Sequence, residues 1–406
     1  MPGSQHHQSP RRDVPQRATL HREVVVVEKM AAGGDGIAHA ADGRVLFVEG
    51  GLPGERVGVA VHTTKKDFAK GVVDEVLDAS PHRVAPPCEA LARGCGGCQW
   101  QHVSDDGQRS LKVSIVADAL RRTAKLHDAV VLDGGSVSPW AYRTSMRFAV
   151  DSKGRVGLRA AASHRVVHID ECLVAHPAIT ALLPDLRVRG ADEVSVRVGV
   201  ASGEVSVLAS HPRATVTGLP AHVGLGERAV VHETVAGVSL QVSAASFFQS
   251  GPEAAELLVR AVRAACGNLL DDDGPVLDAY GGGGLFAAAL PMRRAVLVES
   301  SRSACADARV NVPHAEVHCE PFEHWSAVPV RLAVVDPARA GLGQAATDVL
   351  VGAGPDRIVL VSCDPVSLAR DTALLSARGY RHGGSTVLDL FPNTPHVEAV
   401  TVFDRH

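Results

Sequence analysis

Aromatic residues and long apolar runs are scarce in this sequence of 406 residues. Phe, Trp and Tyr make up only 4% of the chain although 46% of it is hydrophobic, so Ala, Val and Leu must supply most of the core. The longest apolar runs are as long as a strand and fall far short of the roughly 20 residues that a membrane span requires. We therefore expect no membrane partner, and a chain well above about 300 residues predicts two or three folded domains.

The beginning of the chain lacks the apolar stretch that a secretory leader needs after its charges. Residues 1–17 are polar and contain three prolines, which predicts a disordered lead-in to a cytoplasmic protein. The formal net charge of -4 gives no overall attraction to a polyanion. One segment is nevertheless basic, because Asp151 is the only acidic residue between positions 143 and 165. The cations of this segment, which fit either a solvated strand face or an RNA contact, are Arg143, Arg147, Lys153, Arg155, Arg159 and Arg165.

Eight cysteines in a cytoplasmic chain are unusual as a disulfide framework, so their spacing is more informative than their number. Cys88, Cys95 and Cys98 form the pattern C-x6-C-x2-C, and Cys172 follows much later. Spacing alone fits zinc and an iron–sulfur cluster equally well. The other four cysteines, Cys266, Cys305, Cys319 and Cys363, each stand alone in the sequence.

The pattern of apolar residues changes along the chain. Residues 19–79 contain short β-rich runs separated by glycine turns, which predicts a small five-stranded barrel. An amphipathic helix is expected at 108–125, and a mostly antiparallel β-rich unit follows it up to about residue 210. From about residue 231 strands alternate with helices, as in a parallel sheet that is covered on both faces. The helices expected in this part are 252–265, 285–290, 301–310, 345–351 and 365–377.

A glycine loop follows the first strand of this alternating part. The strand 275–280 runs directly into Gly281-Gly282-Gly283-Gly284, where the absent side chains let the backbone approach a ligand. About twenty residues later Glu299 ends the next strand, where a carboxylate can accept hydrogen bonds from ribose hydroxyls. The loop also satisfies G-x-G-x-x-A, so a nicotinamide-dependent oxidoreductase and a purely structural turn are alternatives. Asp278 favours S-adenosylmethionine, because a carboxylate there would oppose a pyrophosphate.

Two further strand ends carry reactive side chains. Asp336 and Cys363 each follow an apolar strand, at the carboxyl edge where open α/β sheets bind ligands. If Pro365 begins a helix, the amides at that helix terminus would stabilise the thiolate of Cys363, which could then act as a nucleophile. Glu398 near the start of the last strand could serve as a general base if burial raises its pKa. His396 would point to the same side of that strand and act as an orienting or structural group.

Taken in order, these motifs resemble the family of RNA uridine-C5 methyltransferases over nearly the whole chain. The motifs that carry the resemblance are Phe247-Phe248-Gln249, LDAYGGGGLF, Glu299, DPARAGL, VSCDPVSLARD and HVEAV. The resemblance implies an α/β fold with a Rossmann-like methyltransferase domain, an N-terminal TRAM barrel and a β-rich central domain. We expect the lead-in at 1–17, the barrel at 18–80, the central domain at 81–230 and the methyltransferase domain at 231–406.

The resemblance also assigns roles to residues. Cys363 matches the nucleophile that adds to carbon 6 of uracil, and Glu398 matches the base that removes the proton from carbon 5. The positions that match cofactor-binding residues are Gln249, Tyr280, Glu299 and Asp336. The positions that match the ligands of a [4Fe-4S] cluster, which the family favours over zinc, are Cys88, Cys95, Cys98 and Cys172. The expected partner is RNA, with 23S ribosomal RNA favoured over tRNA, and the protein is expected to be a monomer.

Four departures from the family pattern are visible, at Gly281, Leu285, Ala338 and Asp364. A negative charge at Asp364, beside the proposed nucleophile, is expected to raise the pKa of Cys363. These departures leave an alternative interpretation, in which the protein is an RNA-binding homologue without catalytic activity. In that case, substitution of Cys363 would not change the 5-methyluridine content of the cell.

Overall fold

The structure is a computed structural model that describes residues 20–406, so the expected lead-in at 1–17 lies outside the described residues. The strands, in chain order, are β1 His21–Val26, β2 Lys29–Met30, β3 Gly36–His39, β4 Val45–Glu49, β5 Arg56–Thr64, β6 Phe68–Asp78, β7 Val131–Ser136, β8 Ser145–Val150, β9 Val156–Arg159, β10 Val166–Val167, β11 Arg187–Arg189, β12 Glu193–Val198, β13 Val205–Ala209, β14 Thr215–Thr217, β15 Gly224–Leu225, β16 Val230–Val235, β17 Val238–Ser243, β18 Val276–Ala279, β19 Ala295–Glu299, β20 Glu316–Cys319, β21 Leu332–Val335, β22 Arg357–Ser362, β23 Tyr380–Asp389 and β24 Glu398–Arg405. The α-helices are α1 Glu89–Ala92, α2 Asp105–Ala119, α3 Pro177–Thr180, α4 Pro252–Cys266, α5 Leu285–Ala289, α6 Arg302–Asn311, α7 Gly343–Ala353 and α8 Pro365–Ser376.

The described chain divides into two compact units. Unit 1 comprises residues 20–115, 158–167 and 393–395, and unit 2 comprises 116–157, 168–392 and 396–406. The expected three-part division of the chain stays a prediction. In the part of the chain that the structure covers, no helix is both long enough and apolar enough to cross a membrane.

Unit 1 is built around one six-stranded sheet with the order β1-β5-β6-β4-β3-β2. This is one strand more than the five expected, because the short β2 pairs with β3. Alternation in the sequence explains which side is buried: in β4, Leu46 and Val48 point into the core, while their neighbours are only partly covered. A second apolar cluster forms around Trp100, whose indole Nε1 donates to the carbonyl of Gly34 at 3.0 Å.

Unit 2 contains a smaller, mostly antiparallel sheet in which β9, β8, β12 and β13 are neighbours and β15 runs parallel to β13. A separate hairpin of β16 and β17 follows in the chain. The β-rich character expected for this stretch is therefore observed.

The main sheet of unit 2 has eight strands in the order β20-β19-β18-β21-β22-β24-β23-β7. All of them run in the same direction except β24, which pairs antiparallel with both β22 and β23. The central strands are buried on both faces: every residue of β18 and of β21 is buried. The carboxyl ends of the parallel strands thus lie along one edge, which is where α/β sheets bind ligands.

Local sequence explains where the helices of this unit begin. Pro252 occupies the first turn of α4 and Pro365 that of α8, positions where the missing amide hydrogen costs nothing. Ser301 caps α6, because its hydroxyl accepts from the amide of Ala304 at 3.4 Å. All five helices expected from residue 231 onward are present, with ends that shift by no more than two residues.

Candidate active site

Cys363 and Glu398 lie at the ends of neighbouring strands. In the antiparallel register of β22 and β24, Ser362 pairs with Ala399; Cys363 directly follows Ser362, and Glu398 directly precedes Ala399. The charge of Glu398 acts on the thiol of Cys363, so the two side chains are near each other. Asp336 follows the end of β21, the other neighbour of β22, and its amide donates to the carbonyl of Ala279 at 3.1 Å. Three side chains that are separated in sequence therefore meet at one edge of the sheet.

The two carboxyl groups at this edge hold protons unusually tightly. Glu398 is 5% exposed and its Oε1 makes no hydrogen bond, so burial, followed by the nearby charge of Asp336, raises its pKa well above the ordinary value. Burial also raises the pKa of Asp336 to about 7. An acidic group whose pKa lies near neutrality, as that of Asp336 does, can take and return protons during a reaction.

Burial keeps the thiol of Cys363 protonated at neutral pH. Burial and then the charges of Glu398 and Asp336 raise its pKa to about 11, and the guanidinium of Arg339 opposes that shift. Pro365 does begin α8 as expected, but Asp364 Oδ1 accepts from the amides of Val366 and Ser367 at 3.0 and 2.7 Å. The expectation that these amides would stabilise the thiolate is therefore corrected, since the cap of the helix already occupies them.

The expected effect of Asp364 on the nucleophile is corrected for the same reason. The carboxylate of Asp364 is directed to the N-terminus of α8, and the charges that raise the pKa of Cys363 are those of Glu398 and Asp336. A carboxylate at this position offsets the partial positive charge of a helix N-terminus. The departure at position 364 thus affects the helix more than the thiol.

His396 lies before the strand, which begins only at Glu398. Its imidazole is 3.4 Å from Nη2 of Arg339, and its ring centre is 6.0 Å from that of Phe391. His396 therefore contacts the arginine of the DPARAGL motif, and Arg339 is in turn a charge that acts on Cys363.

A cleft of about 520 Å³ borders the glycine loop. Its lining residues include Gln249, Tyr280 and Asp336, three of the four positions expected to bind the cofactor. Tyr280 adopts a left-handed backbone with φ of +59°, which a residue with a side chain accepts only at a cost of roughly 1 kcal/mol or more. The strand therefore turns sharply where it meets the loop, and the loop backbone lies along the wall of the cleft.

Glu299, the fourth expected cofactor residue, holds the glycine loop from behind. Its Oε2 accepts from the amide of Gly282 at 3.0 Å, and its Oε1 accepts from the amide of Ser301 at 2.6 Å. A carboxylate has lone pairs for further donors, so Glu299 can still receive a hydroxyl group at the end of β19. The cradle, with its bare glycine backbone and its carboxylate, fits a nucleoside cofactor.

Asp278 plays a different role from the one expected. It is fully buried, its Oδ2 accepts from the amide of Ala287 in α5 at 3.1 Å, and its Oδ1 makes no hydrogen bond. Burial raises its pKa to about 7. Asp278 therefore ties β18 to α5, and the argument that its charge would repel a pyrophosphate is corrected, since the group is enclosed by protein.

Packing explains the departure at Gly281. A Cβ at this position would lie 2.7 Å from Cγ of Leu297 and 3.0 Å from Cγ of Asp278. Glycine is thus the residue that fits between the loop and β19, given the leucine at position 297.

Two residues on α6 were missed by the sequence analysis, although both line the cleft. Asp307 is fully buried and Asn311 is partly buried, and both bond to β17 or to the segment that follows it. Asn311 Nδ2 donates to the carbonyls of Gln241 at 2.9 Å and of Gly283 at 2.8 Å. Neither residue belongs to a recognisable motif, but both face inward on a helix whose other polar residues are mostly exposed, which is the signal that could have found them.

The expected cluster of cysteines is not supported by the structure. Cys88 precedes α1, Cys98 is 8% exposed, and Cys95 and Cys172 are partly buried. Within residues 20–406, no group of three or more His, Cys, Asp or Glu side chains is arranged so that it could hold a metal ion. A [4Fe-4S] cluster and a zinc ion at these cysteines therefore both stay predictions.

Asp151 partly neutralises the basic segment between positions 143 and 165. Arg155 Nη2 bonds to Asp151 at 3.0 Å, and the backbone and side-chain donors of this turn lower the pKa of Asp151 to about 2. Arg147 is exposed and lies 3.6 Å from Glu193, whereas the guanidinium of Arg143 lies over the ring of Phe391. These contacts favour a solvated strand face for Arg147 and Arg155, and they place Arg143 beside the aromatic neighbour of His396.

Comparisons with known proteins agree with this geometry. The family model described as "TRAM domain" matches residues 22–73, and the model described as "tRNA (Uracil-5-)-methyltransferase" matches residues 324–406, which include the whole of the Cys363 and Glu398 edge. The chain is 35% identical to an RNA methyltransferase of Streptomyces avermitilis, over 94% of this chain and 97% of that protein. It is 31% identical to the 23S rRNA (uracil(1939)-C(5))-methyltransferase of Halomonas elongata, over 95% of this chain and 90% of that protein.

Among solved structures, the tRNA (uracil-54, C5)-methyltransferase of Pyrococcus abyssi, in complex with S-adenosyl-L-homocysteine, matches with a TM-score of 0.70. The two sequences are 24% identical, and the match covers 94% of this chain and 99% of that one, so it shows the fold. The expected fold class, a TRAM domain together with a Rossmann-like methyltransferase domain, is thereby confirmed. Because relatives that match over nearly their full length are more than 30% identical to it, this chain belongs to the RNA uracil-5 methyltransferase family.

Proposed function

We propose that this enzyme forms 5-methyluridine in 23S ribosomal RNA through a covalent adduct between Cys363 and carbon 6 of the target uracil. The observation that carries the proposal is that Cys363, at the end of β22, lies within reach of the charges of a buried Glu398 on the neighbouring β24 and of Asp336. A thiol and a high-pKa carboxyl group at one ligand-binding edge match a reaction that needs a nucleophile and then a base.

The order of bond changes follows from the chemistry of uracil. Carbon 5 is a weak nucleophile until the sulfur of Cys363 adds to carbon 6 and places electron density on carbon 5. S-adenosylmethionine, when bound in the cleft, supplies an electrophilic methyl group and the positive charge of its sulfonium. When carbon 5 takes the methyl group, the bond between that methyl and the sulfonium sulfur would break and S-adenosylhomocysteine would leave. Carbon 5 then carries both a methyl group and a proton. Glu398, in its carboxylate form, takes that proton, the electron pair of the carbon–hydrogen bond restores the double bond between carbons 5 and 6, and the carbon–sulfur bond breaks with its electron pair returning to Cys363.

The proton of Cys363, which is only partly buried, must pass to solvent water before the attack. Because the charges of Glu398 and Asp336 raise the pKa of the thiol, a positive charge close to these carboxylates lowers it again. Arg339 already acts in that direction. We therefore infer that formation of the thiolate is coupled to occupation of the cleft by the cationic cofactor, which Gln249, Tyr280, Glu299 and Asp336 would hold.

The RNA substrate is proposed from the relatives. A protein 31% identical over 95% of this chain is named for 23S rRNA, whereas the tRNA enzyme shares only 24% identity. The TRAM domain offers a second RNA contact outside the catalytic domain. The target uridine must leave its base stack to reach the edge where Cys363 lies.

The decisive experiment is trapping with RNA that contains 5-fluorouridine, since fluorine replaces the proton that Glu398 must remove. With S-adenosylmethionine and a 23S rRNA fragment, the wild-type enzyme is expected to form a complex that survives denaturing electrophoresis. Cys363→Ala should form none, while Cys319→Ala, which removes an exposed cysteine at the end of β20, four strands away from β22 in the sheet, should trap like the wild type.

Failure of the wild type to trap on any fragment of 23S rRNA or on tRNA would refute the adduct. Trapping on tRNA alone would refute the choice of substrate. A map of 5-methyluridine in cells with and without the gene separates the enzyme from a catalytically idle RNA-binding homologue, for which the two maps would be identical.

Three further proposals accompany this function. We propose a [4Fe-4S] cluster on Cys88, Cys95, Cys98 and Cys172, on the resemblance alone; iron and acid-labile sulfide in anaerobically purified protein, measured beside zinc, test it. We also propose that the protein is monomeric and cytoplasmic, to be tested by light scattering coupled to size-exclusion chromatography and by cell fractionation.

A further inference from the structure

The segment from Ser243 to Gln249 forms one side of the cleft but belongs to no helix or sheet beyond its first residue. It connects β17 to α4 and carries Phe247, Phe248 and Gln249 into the lining. Phe247 is 71% exposed, whereas Gln249 is 7% exposed. A backbone segment that is not paired within a helix or a sheet needs other hydrogen-bond partners. The shape of this side of the cleft, which we call the wall, therefore depends on side chains outside the segment.

Asp307, on the inner face of α6, supplies most of those bonds. Its Oδ1 accepts from the hydroxyl of Ser243 at 2.6 Å and from Nε2 of Gln241 at 3.0 Å. Its Oδ2 accepts from the amide of Ser243 at 2.9 Å and from the hydroxyl of Ser246 at 2.6 Å. Four donors from three residues thus converge on one fully buried carboxylate.

Arg197 holds the same segment from β12. Its Nη2 donates to the carbonyl of Ser246 at 2.6 Å, and the guanidinium is 9% exposed. Arg197 and Asp307 also attract each other through their charges. Ser246 is therefore held through its hydroxyl by Asp307 and through its carbonyl by Arg197.

A buried carboxylate is costly unless donors satisfy it, and here every donor comes from the wall of the cleft. If Asn replaced Asp307, the side chain would keep one acceptor oxygen, and its NH2 group would direct two hydrogens toward groups that are themselves donors. The same helix begins at Arg302, next to Ser301, whose amide bonds to Glu299. One helix therefore connects the carboxylate behind the glycine loop with the wall that carries Gln249.

We propose that Asp307 is a positioning residue for the cofactor: it fixes the segment from Ser243 to Gln249 in the shape that presents Gln249 to the cleft. The inference rests on the proposed function in one respect, which is that S-adenosylmethionine occupies this cleft.

The test is equilibrium binding of S-adenosylmethionine to the full-length protein without RNA. Asp307→Asn is expected to raise the dissociation constant at least tenfold, because the carboxylate is exchanged for a group with half its acceptors. Glu233→Gln is the matched control. Glu233 is a buried carboxylate whose acceptors serve the amides of Val200, Ala201 and Thr234, and it does not line the cleft. It should lower the melting temperature and leave the dissociation constant within twofold.

A double-mutant cycle distinguishes positioning from general loosening. If Asp307 acts through Gln249, Asp307→Asn should weaken binding strongly in the wild type and little in Gln249→Ala. Additive losses would overturn the proposal, as would unchanged binding by a folded Asp307→Asn variant. If Asp307→Asn does not fold, Ser246→Ala removes one of the four donors and should raise the dissociation constant severalfold; unchanged binding would again overturn the proposal. Wild-type protein that binds no S-adenosylmethionine would refute the proposed cofactor instead, which keeps the two failures apart.

Discussion

Replacing Asp364 tests the physical role of the residue beside the nucleophile. In sequence its charge sits next to Cys363, but in the structure the carboxylate accepts two amides of α8, from Val366 and Ser367. Loss of an N-cap costs about 1 kcal/mol, which corresponds to about a fivefold change in a local opening equilibrium. Asn caps a helix about as well as Asp does. The two substitutions, Asp364→Ala and Asp364→Asn, therefore separate the cap from the charge.

For Asp364→Ala we expect hydrogen exchange at the first turn of α8 to accelerate about fivefold, with exchange elsewhere in the main sheet unchanged. For Asp364→Asn we expect exchange close to that of the wild type. Hydrogen exchange read by mass spectrometry of peptides that cover residues 363–376 measures both.

The same variants report on the thiol of Cys363. Because burial, and after it the charges of Glu398 and Asp336, raise the pKa of this thiol to about 11, Asp364→Asn should leave that pKa nearly unchanged. The measurement is the rate of iodoacetamide alkylation of the Cys363 peptide between pH 7 and pH 11, resolved from the other cysteines by mass spectrometry. A pKa that falls by a unit or more in Asp364→Asn would refute this reasoning and restore the interpretation based on the sequence alone.

Three more substitutions have defined outcomes. Glu398→Gln should stop the reaction after methyl transfer, so that RNA with ordinary uridine stays covalently bound to Cys363 on a denaturing gel; rapid release would show that another group removes the proton. Gly281→Ala should lower stability by about 1–3 kcal/mol through contact with Leu297, and combining it with Leu297→Ala should recover part of the loss in melting temperature. Asp278 holds its proton up to about pH 7 when folded and only to about pH 4 when unfolded, so its contribution to stability falls as pH rises across that range. The melting temperature of the wild type should therefore decline relative to that of Asp278→Asn between pH 5 and pH 8, and parallel curves would contradict the assignment.

The parts of the fold that could be predicted are those with a repeating apolar pattern. Three strands are short runs rich in Val, Leu, Ile and Ala: the one that ends before the glycine loop, the one before Asp336 and the one before Cys363. Proline marks the starts of α4 and α8. Three strands of the main sheet, β7, β20 and β23, gave no such signal. β7 contains Gly134-Gly135 and β23 contains Gly383-Gly384, where the register shifts, so neither shows the alternation or the apolar run typical of a strand. Pairing with a neighbouring strand, rather than the intrinsic β-propensity of their own residues, holds such segments in the sheet.

Sequence motifs single out several of the side chains that the structure brings to this edge of the sheet, but they do not give the electrostatics of the site. Ordered motifs single out Cys363, Glu398 and Gln249, because each stands at the end of an apolar run or within a recognisable string. The direction in which Asp364 and Asp278 point depends on which amides lie within reach, and these amides belong to helices whose placement only the fold determines. Asp307 was missed because its partners lie more than 60 residues away in sequence.

The position of β24 in the main sheet has a consequence for synthesis of the protein. Among the 24 strands of residues 20–406 this strand comes last, yet it lies between β22 and β23 and brings Glu398 near Cys363. The ribosome therefore releases Cys363, the glycine loop and the cleft beside it before it releases Glu398. Under the proposed mechanism, a nascent chain would hold the groups for the attack on uracil while it still lacked the group for release, and turnover would begin only after insertion of β24.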